Sequence, residues 1–132
     1  MAKAEKYVGI EYAEGVRDGE GPLDCWGLVR LVMRKEYRKE LPGFEEVVFV
    51  KERKHEMVDG FSKAMPLIDS VKVETPEPGD IIVMKTAGLP IHTGIMMDDG
   101  LVLHCEPHIG AVAVRFDSVD IQKRLSGVYR VN

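Results

Sequence analysis

Pro22-Leu23-Asp24-Cys25-Trp26-Gly27-Leu28-Val29-Arg30-Leu31-Val32 is where a loop gives way to a strongly patterned helix. Cys25, Leu28, Val29, Val32 and Met33 follow the i, i+3, i+4, i+7, i+8 spacing of one buried face. Asp24 is a good N-cap, which makes Cys25 the first helical residue. Unpaired N–H groups and the positive end of the helix dipole gather there and favour a thiolate. Cysteines so placed have pKa values lowered by roughly one to several units from about 8.5. A small residue buried on a core face is the plainer reading of the same cysteine. The helix is expected to run from about Cys25 to Lys39 and to stop before the breaker Leu41-Pro42-Gly43.

Working outward, 132 residues suit one domain, residues 1–132, with a core that needs no staples. No apolar run approaches the roughly 20 residues of a membrane span. The start, Met1-Ala2-Lys3-Ala4-Glu5-Lys6, lacks the apolar core of a secretion signal. As written, the chain is therefore expected to be cytoplasmic as synthesised, or to leave by another route such as assembly into a larger particle. The formal charge of −4, with bases interspersed among acids, provides no basic patch for nucleic acid or an anionic membrane surface. Two cysteines, Cys25 and Cys105, make no disulfide framework, and both are expected to be free thiols.

Residues 3–20 predict a short helix and then a glycine-bearing loop, Gly15 to Pro22, with Tyr12 just ahead of it. Phe44 to Val50 are apolar and β-branched without clean alternation. Met57, Phe61, Ala64 and Met65 suggest a second helix over about Lys51 to Met65, weakened by Gly60. Val71 and Val73 read as extended, and Pro76-Glu77-Pro78-Gly79-Asp80 as a turn-rich linker. The C-terminal half reads as strands over Ile81–Lys85, Pro90–Met97, Leu101–Glu106, Ala111–Phe116 and Gly127–Val131. The expected fold is α+β, with the cysteine helix packed on an antiparallel sheet of about five strands.

Ile91-His92-Thr93-Gly94-Ile95 and Val102-Leu103-His104-Cys105-Glu106 flank Asp98-Asp99-Gly100. If that triplet is a three-residue hairpin loop with Gly100 left-handed, Met97 faces Leu101, His104 faces Gly94 and Glu106 faces His92. His92 and His104 then share one side as diagonal neighbours, with no side chain at Gly94 between them. A two-residue loop would put them on opposite faces. Two histidines so placed, with a helix-start cysteine, make a coherent nucleophilic set: His92 takes the thiol proton and a third polar group holds its tautomer. Parity leaves both His104 and Glu106 as candidates for that third role. A metal reading competes, because Cys25, His92, His104, Cys105 and His108 are all soft or borderline ligands. Against it, Cys105 alternates away from His104 and there is no Cys-x-x-Cys pair. No metal or other cofactor is expected, and Cys105 reads most simply as core.

These residues converge on a family. Asp24-Cys25-Trp26-Gly27-Leu28-Val29, Pro78-Gly79-Asp80-Ile81-Ile82-Val83, His92-Thr93-Gly94-Ile95 and Leu103-His104 together resemble the NlpC/P60 cysteine peptidases, in order and spacing, over roughly residues 7–131. Trp26, where many members have Ser, resembles the branch found in phage tail and prophage proteins. The resemblance implies a papain-like fold and hydrolysis of peptide bonds in bacterial peptidoglycan stem peptides, often between D-glutamate and diaminopimelate. It implies Cys25 as nucleophile, His92 as base, His104 as the residue orienting it, and Tyr12 near the oxyanion site. Thr93, where Val is common, is expected to face away from the site and matter little. Other phage tail proteins are the partners this branch would imply. The rival expectations are a structural phage-tail assembly subunit with the same fold, and an acyltransferase or amidase on the same Cys–His core.

Overall fold

A computed structural model describes residues 3–44, 61 and 64–132. The proposed helix over Lys51 to Met65 and the apolar run to Val50 lie largely outside those residues. The first long element is α1, Cys25–Glu36. It forms because Asp24, in extended conformation, accepts a hydrogen bond from the Gly27 N–H and so satisfies one of the orphan donors of the first turn. It ends three residues earlier than the breaker suggests. Tyr37 and Lys39 both donate their N–H to the Met33 carbonyl, and Arg38 takes the left-handed conformation at φ 55°.

Among the described residues, six strands follow: β1 Ser70–Val73, β2 Ile81–Thr86, β3 Leu89–Met96, β4 Leu101–Glu106, β5 Gly110–Arg115 and β6 Leu125–Val131. They form one antiparallel sheet in the order β1-β6-β2-β3-β4-β5. A further short helix, here α2, spans Val119–Arg124 between β5 and β6. Ser118 caps it by accepting from the Ile121 N–H. The expected fold class holds; β1 as a sixth strand, α2 and the N-terminal extension of β6 to Leu125 are the additions. The Ser118 cap and the buried Ile121 are the signals for α2, which is too short to register as a periodic helix.

The sheet has two differently furnished faces. α1 packs chiefly across β3 and β4. There Leu28, Val29 and Val32 meet Ile81, Val83, Ile95, Leu103 and Cys105, all buried in one apolar cluster. Alternation sends Ile82, Met84, Met96 and Val102 to the other face, where they pack with Ile121 of α2 and Val128 of β6. α1 is buried well beyond its periodic stripe. Trp26 is fully buried, stacked between Phe44 and Phe61 at centroid distances of 5.4 and 5.2 Å, and its indole N–H donates to the Pro42 carbonyl at 2.7 Å.

Gly27 shows how closely the loop crosses the start of α1. A Cβ at that position would lie 2.5 Å from the Val16 carbonyl oxygen and 2.9 Å from Arg17 Cα, both backbone atoms. We expect Gly27→Ala to destabilise the chain by about 1–3 kcal/mol, the usual cost of overpacking. Thermal unfolding followed by circular dichroism checks this, and an unchanged Tm would contradict the packing described.

Candidate active site

The hairpin between β3 and β4 has the geometry parity demands. Met97 N–H donates to the Leu101 carbonyl at 2.9 Å, and Gly100 has φ 80°. Gly94 pairs with His104 and Ile95 with Leu103. His92 and His104 therefore emerge on one face, and a Cβ on Gly94 would lie 3.0 Å from that of His104. The rings meet edge to face, with His92 Nε2 2.9 Å from His104 Nδ1.

Glu106 joins both. Its Oε1 is 3.0 Å from His92 Nε2, 3.1 Å from His104 Nδ1 and 2.7 Å from Arg124 Nη1. Arg124 was absent from the sequence reading because nothing in the strand pattern pointed to α2. It also donates to the Lys85 carbonyl at 3.0 Å and to Thr86 Oγ1 at 3.1 Å, tying α2 to the end of β2. Burial works against ionisation of Glu106. Hydrogen bonds from His104 and His92, with the Arg124 guanidinium, outweigh it and hold the carboxyl far below the usual carboxylate range. Burial pushes His92 down from the ordinary imidazole value, although Glu106 pulls it upward, so the ring is neutral near pH 7.

Cys25 meets β3 one residue beyond His92. Its thiol lies against the backbone N–H and hydroxyl of Thr93, the residue after His92. Thr93 is fully buried, and among the described residues its Oγ1 completes no hydrogen bond of normal geometry. Among the described residues, no hydrogen bond joins the Cys25 sulfur to His92. Thr93 does turn away from the histidines, as parity requires, but in doing so it meets the nucleophile candidate. The expectation that it matters little is thereby corrected.

The expected thiolate is also corrected. Burial, followed by the neighbouring Asp24 carboxylate, pushes the Cys25 thiol up to about 12, against the smaller opposing pull of Thr93 and Arg17. A helix start favours the anion, but removal from water outweighs it. Asp24 itself is turned into the protein: Oδ1 takes the Gly27 N–H at 2.7 Å and Oδ2 takes Arg17 Nε at 3.0 Å. Arg17 in turn donates to the carbonyls of Gly43 and Phe44.

Tyr12 pairs with Leu23 in an isolated parallel bridge, close enough to Cys25 for the two groups to interact electrostatically. Burial, then the Cys25 and Asp24 charges, raises its phenol. A cleft of about 490 Å³ opens beside it, lined by Glu11, Glu14 and the turn from Pro107 to Gly110. Cys105 is in the core, its thiol 3.4 Å from the Leu23 carbonyl. His108 is exposed in the β4–β5 turn. The five-residue metal set is thus dispersed. His92, His104 and Glu106 do present three ligand atoms within 4.8 Å of one another, but the Arg124 guanidinium already occupies the same carboxylate oxygen.

With this geometry in view, comparison with known proteins is decisive for the family. The model of the NlpC/P60 family matches residues 9–130. The chain belongs to the NlpC/P60 family. In structure, this NlpC/P60 chain is similar to the NlpC/p60 domain of peptidoglycan hydrolase SagA, with a TM-score of 0.58 and 18% identity over 97% of this chain and 92% of that one. It is also similar to a protein described as similar to lipoprotein, NLP/P60 family, from Staphylococcus aureus subsp. aureus Mu50. There the TM-score is 0.56 at 24% identity, over 97% of this chain but only 38% of that one. These likenesses establish the fold. No curated protein sequence matches the chain. No helix among the described residues is long and apolar enough to cross a membrane.

The raised thiols have a consequence for stability. An unfolded chain holds fewer thiol protons than the folded one between about pH 8.5 and the folded value near 12, so stability must fall as pH rises through that interval. We expect the urea midpoint to be flat from pH 7 to 8 and to drop between pH 8.5 and 10. The drop should be shallower in Cys25→Ser than in the parent chain. An equal slope in both would contradict the raised Cys25 thiol.

Proposed function

We propose that this NlpC/P60 chain is a cysteine peptidase acting on bacterial peptidoglycan, hydrolysing stem-peptide bonds of the D-glutamyl-diaminopimelate type, with residues 1–132 as one catalytic unit. The observation that carries this reading is the adjacency, through the consecutive residues His92 and Thr93, of a helix-start thiol and a carboxylate-tied imidazole pair. The name of the SagA domain as a peptidoglycan hydrolase supports the substrate class.

His92 is suited to act as base through Nδ1. Its Nε2 is engaged with His104 and Glu106, whereas no hydrogen bond occupies Nδ1 among the described residues. In the reaction, His92 takes the Cys25 proton as the sulfur attacks the amide carbon, forming a C–S bond and a tetrahedral oxyanion. The Cys25 N–H and the Tyr12 hydroxyl are the proposed donors to that oxyanion. Collapse breaks the C–N bond, and the imidazolium passes its proton to the leaving amine. Water then attacks the thioester while His92 accepts its proton. The C–S bond breaks, the acid product leaves, and Cys25 recovers a proton. The raised thiol fits a cycle in which the proton leaves sulfur only as the bond forms.

A second reading has its own support. The neutral, buried thiol lacking a hydrogen bond to His92 also suits an assembly subunit of a phage or prophage tail that retains the fold without turnover. Trp26 supports tail association under either reading, with other tail proteins as partners.

Digestion of purified muropeptides with mass readout separates the two. We expect cleavage by the parent chain and a loss of at least about 10³-fold in Cys25→Ser, with the circular dichroism spectrum and Tm retained. Retained turnover in that variant excludes the mechanism, and an intact muropeptide profile with the parent chain favours assembly. Tyr12→Phe is expected to lower kcat by about 10²-fold while leaving KM nearly unchanged, as for loss of one oxyanion donor. Equal kcat values would remove Tyr12 from that role.

A further inference from the structure

The histidine pair contains more polar atoms than two rings can satisfy between themselves. His104 Nε2 is buried and has no partner among the described residues. An N–H left there would be an orphaned buried donor, which proteins avoid more strictly than an under-used acceptor, so the His104 proton belongs on Nδ1. From Nδ1 it has two destinations, His92 Nε2 at 2.9 Å and Glu106 Oε1 at 3.1 Å. If it went to His92, that Nε2 would be a bare lone pair 3.0 Å from the Glu106 carboxylate, two acceptors pressed together. The proton of His92 would then sit on Nδ1, and the ring could not accept another there. If both rings donate to Oε1, every close distance becomes a donor–acceptor contact or the by-product of two donors converging on one oxygen. An ionised carboxylate selects the second arrangement.

We propose that Glu106, anchored by Arg124, is the positioning residue of this pair: its Oε1 collects an N–H from each imidazole and so keeps His92 Nδ1 bare for the proton of Cys25. His104 then holds His92 by packing edge to face and by sharing the same oxygen, rather than as its direct acceptor. Arg124 holds the same carboxylate oxygen, Nη1 lying 2.7 Å from Oε1. Its guanidinium spans the Lys85 carbonyl, Thr86 Oγ1 and Glu106 Oε1, so α2 and the end of β2 clamp the end of β4. What the bare nitrogen does in turnover rests on the peptidase reading; the tautomer itself does not.

Among the described residues, the charged and titratable groups around His92 pull in opposite directions. From β4 they are His104 and Glu106, and from α2 Arg124. α1 contributes Cys25, with Asp24 beside it. Glu106 raises the His92 pKa and Arg124 lowers it.

The test is long-range 1H–15N correlation of histidine side chains in the whole chain, for the parent, Glu106→Met and Arg124→Met. In the parent, His92 should be the Nε2–H tautomer. In Glu106→Met, which removes the acceptor at similar length, His92 should move to the Nδ1–H tautomer, titrate at lower pH and lose about 10²-fold in kcat with little change in KM. In Arg124→Met the tautomer should persist, His92 should titrate at higher pH, and kcat should fall less. An unchanged His92 tautomer and titration in folded Glu106→Met overturns the proposal. Should that variant fail to fold, an unmoved or lowered His92 titration in Arg124→Met overturns it instead. A parent chain that leaves muropeptides intact while its spectra show these tautomers would defeat the peptidase reading and leave the Glu106 assignment standing.

Discussion

Gly100, at φ 80° in a three-residue loop, decides which way two imidazoles point. With Met97 bonded to Leu101, every later residue of β4 has its face assigned. His104 goes to the side of His92, and Cys105 goes under α1. A slip of one residue would exchange them, turning the His104 imidazole and the Glu106 carboxylate toward the apolar cluster of Leu28, Val29 and Ile95 and bringing the Cys105 thiol up beside His92. The register is thus held from two directions, by the turn and by the cost of burying the wrong side chain. Two signals that agree in this way are what make a fold specific.

The start of α1 shows the opposite situation, two tendencies in conflict. A helix N-terminus favours an anion, and the sequence supplies both Cys25 and Asp24 there. The carboxylate takes the cap, through the Gly27 N–H, and is paired with Arg17 in a nearly water-free setting. That leaves the thiol buried next to a negative charge, and it stays protonated. A buried ion pair is a poor source of net stability, because desolvation offsets much of its attraction. What Arg17 and Asp24 do supply is placement: through the carbonyls of Gly43 and Phe44, the loop ahead of the helix and the chain beyond it are joined at the sulfur.

The second face of the sheet is divided along its length. Ile82, Met84, Met96 and Val102 make an apolar patch covered by Ile121, while His92, His104 and Glu106 form a polar corner closed by Arg124. Both coverings come from one six-residue helix. The same short element that seals the apolar part therefore supplies the cation that holds the carboxylate in place, which couples the packing of α2 to the orientation of the candidate base.

Much of this was legible without coordinates. The buried face of α1, the cap at Asp24, the turn at Gly100 and the shared side of His92 and His104 all follow from local rules: helical period, strand parity and the backbone freedom of glycine. Those rules act within a few residues, so one chain segment contains the whole answer. The role of Thr93, the state of the Cys25 thiol and the Arg124 clamp were not legible, because each depends on what a distant segment brings into contact. Strand parity says only that Thr93 and His92 diverge; that α1 waits on the Thr93 side is a matter of how helix and sheet pack. The sequence by itself determined which residues could do chemistry and which share a face. Only the tertiary structure decided how much water and which partners each retains, and at Cys25 desolvation, a property of the whole fold, outweighs the local dipole and keeps the thiol neutral.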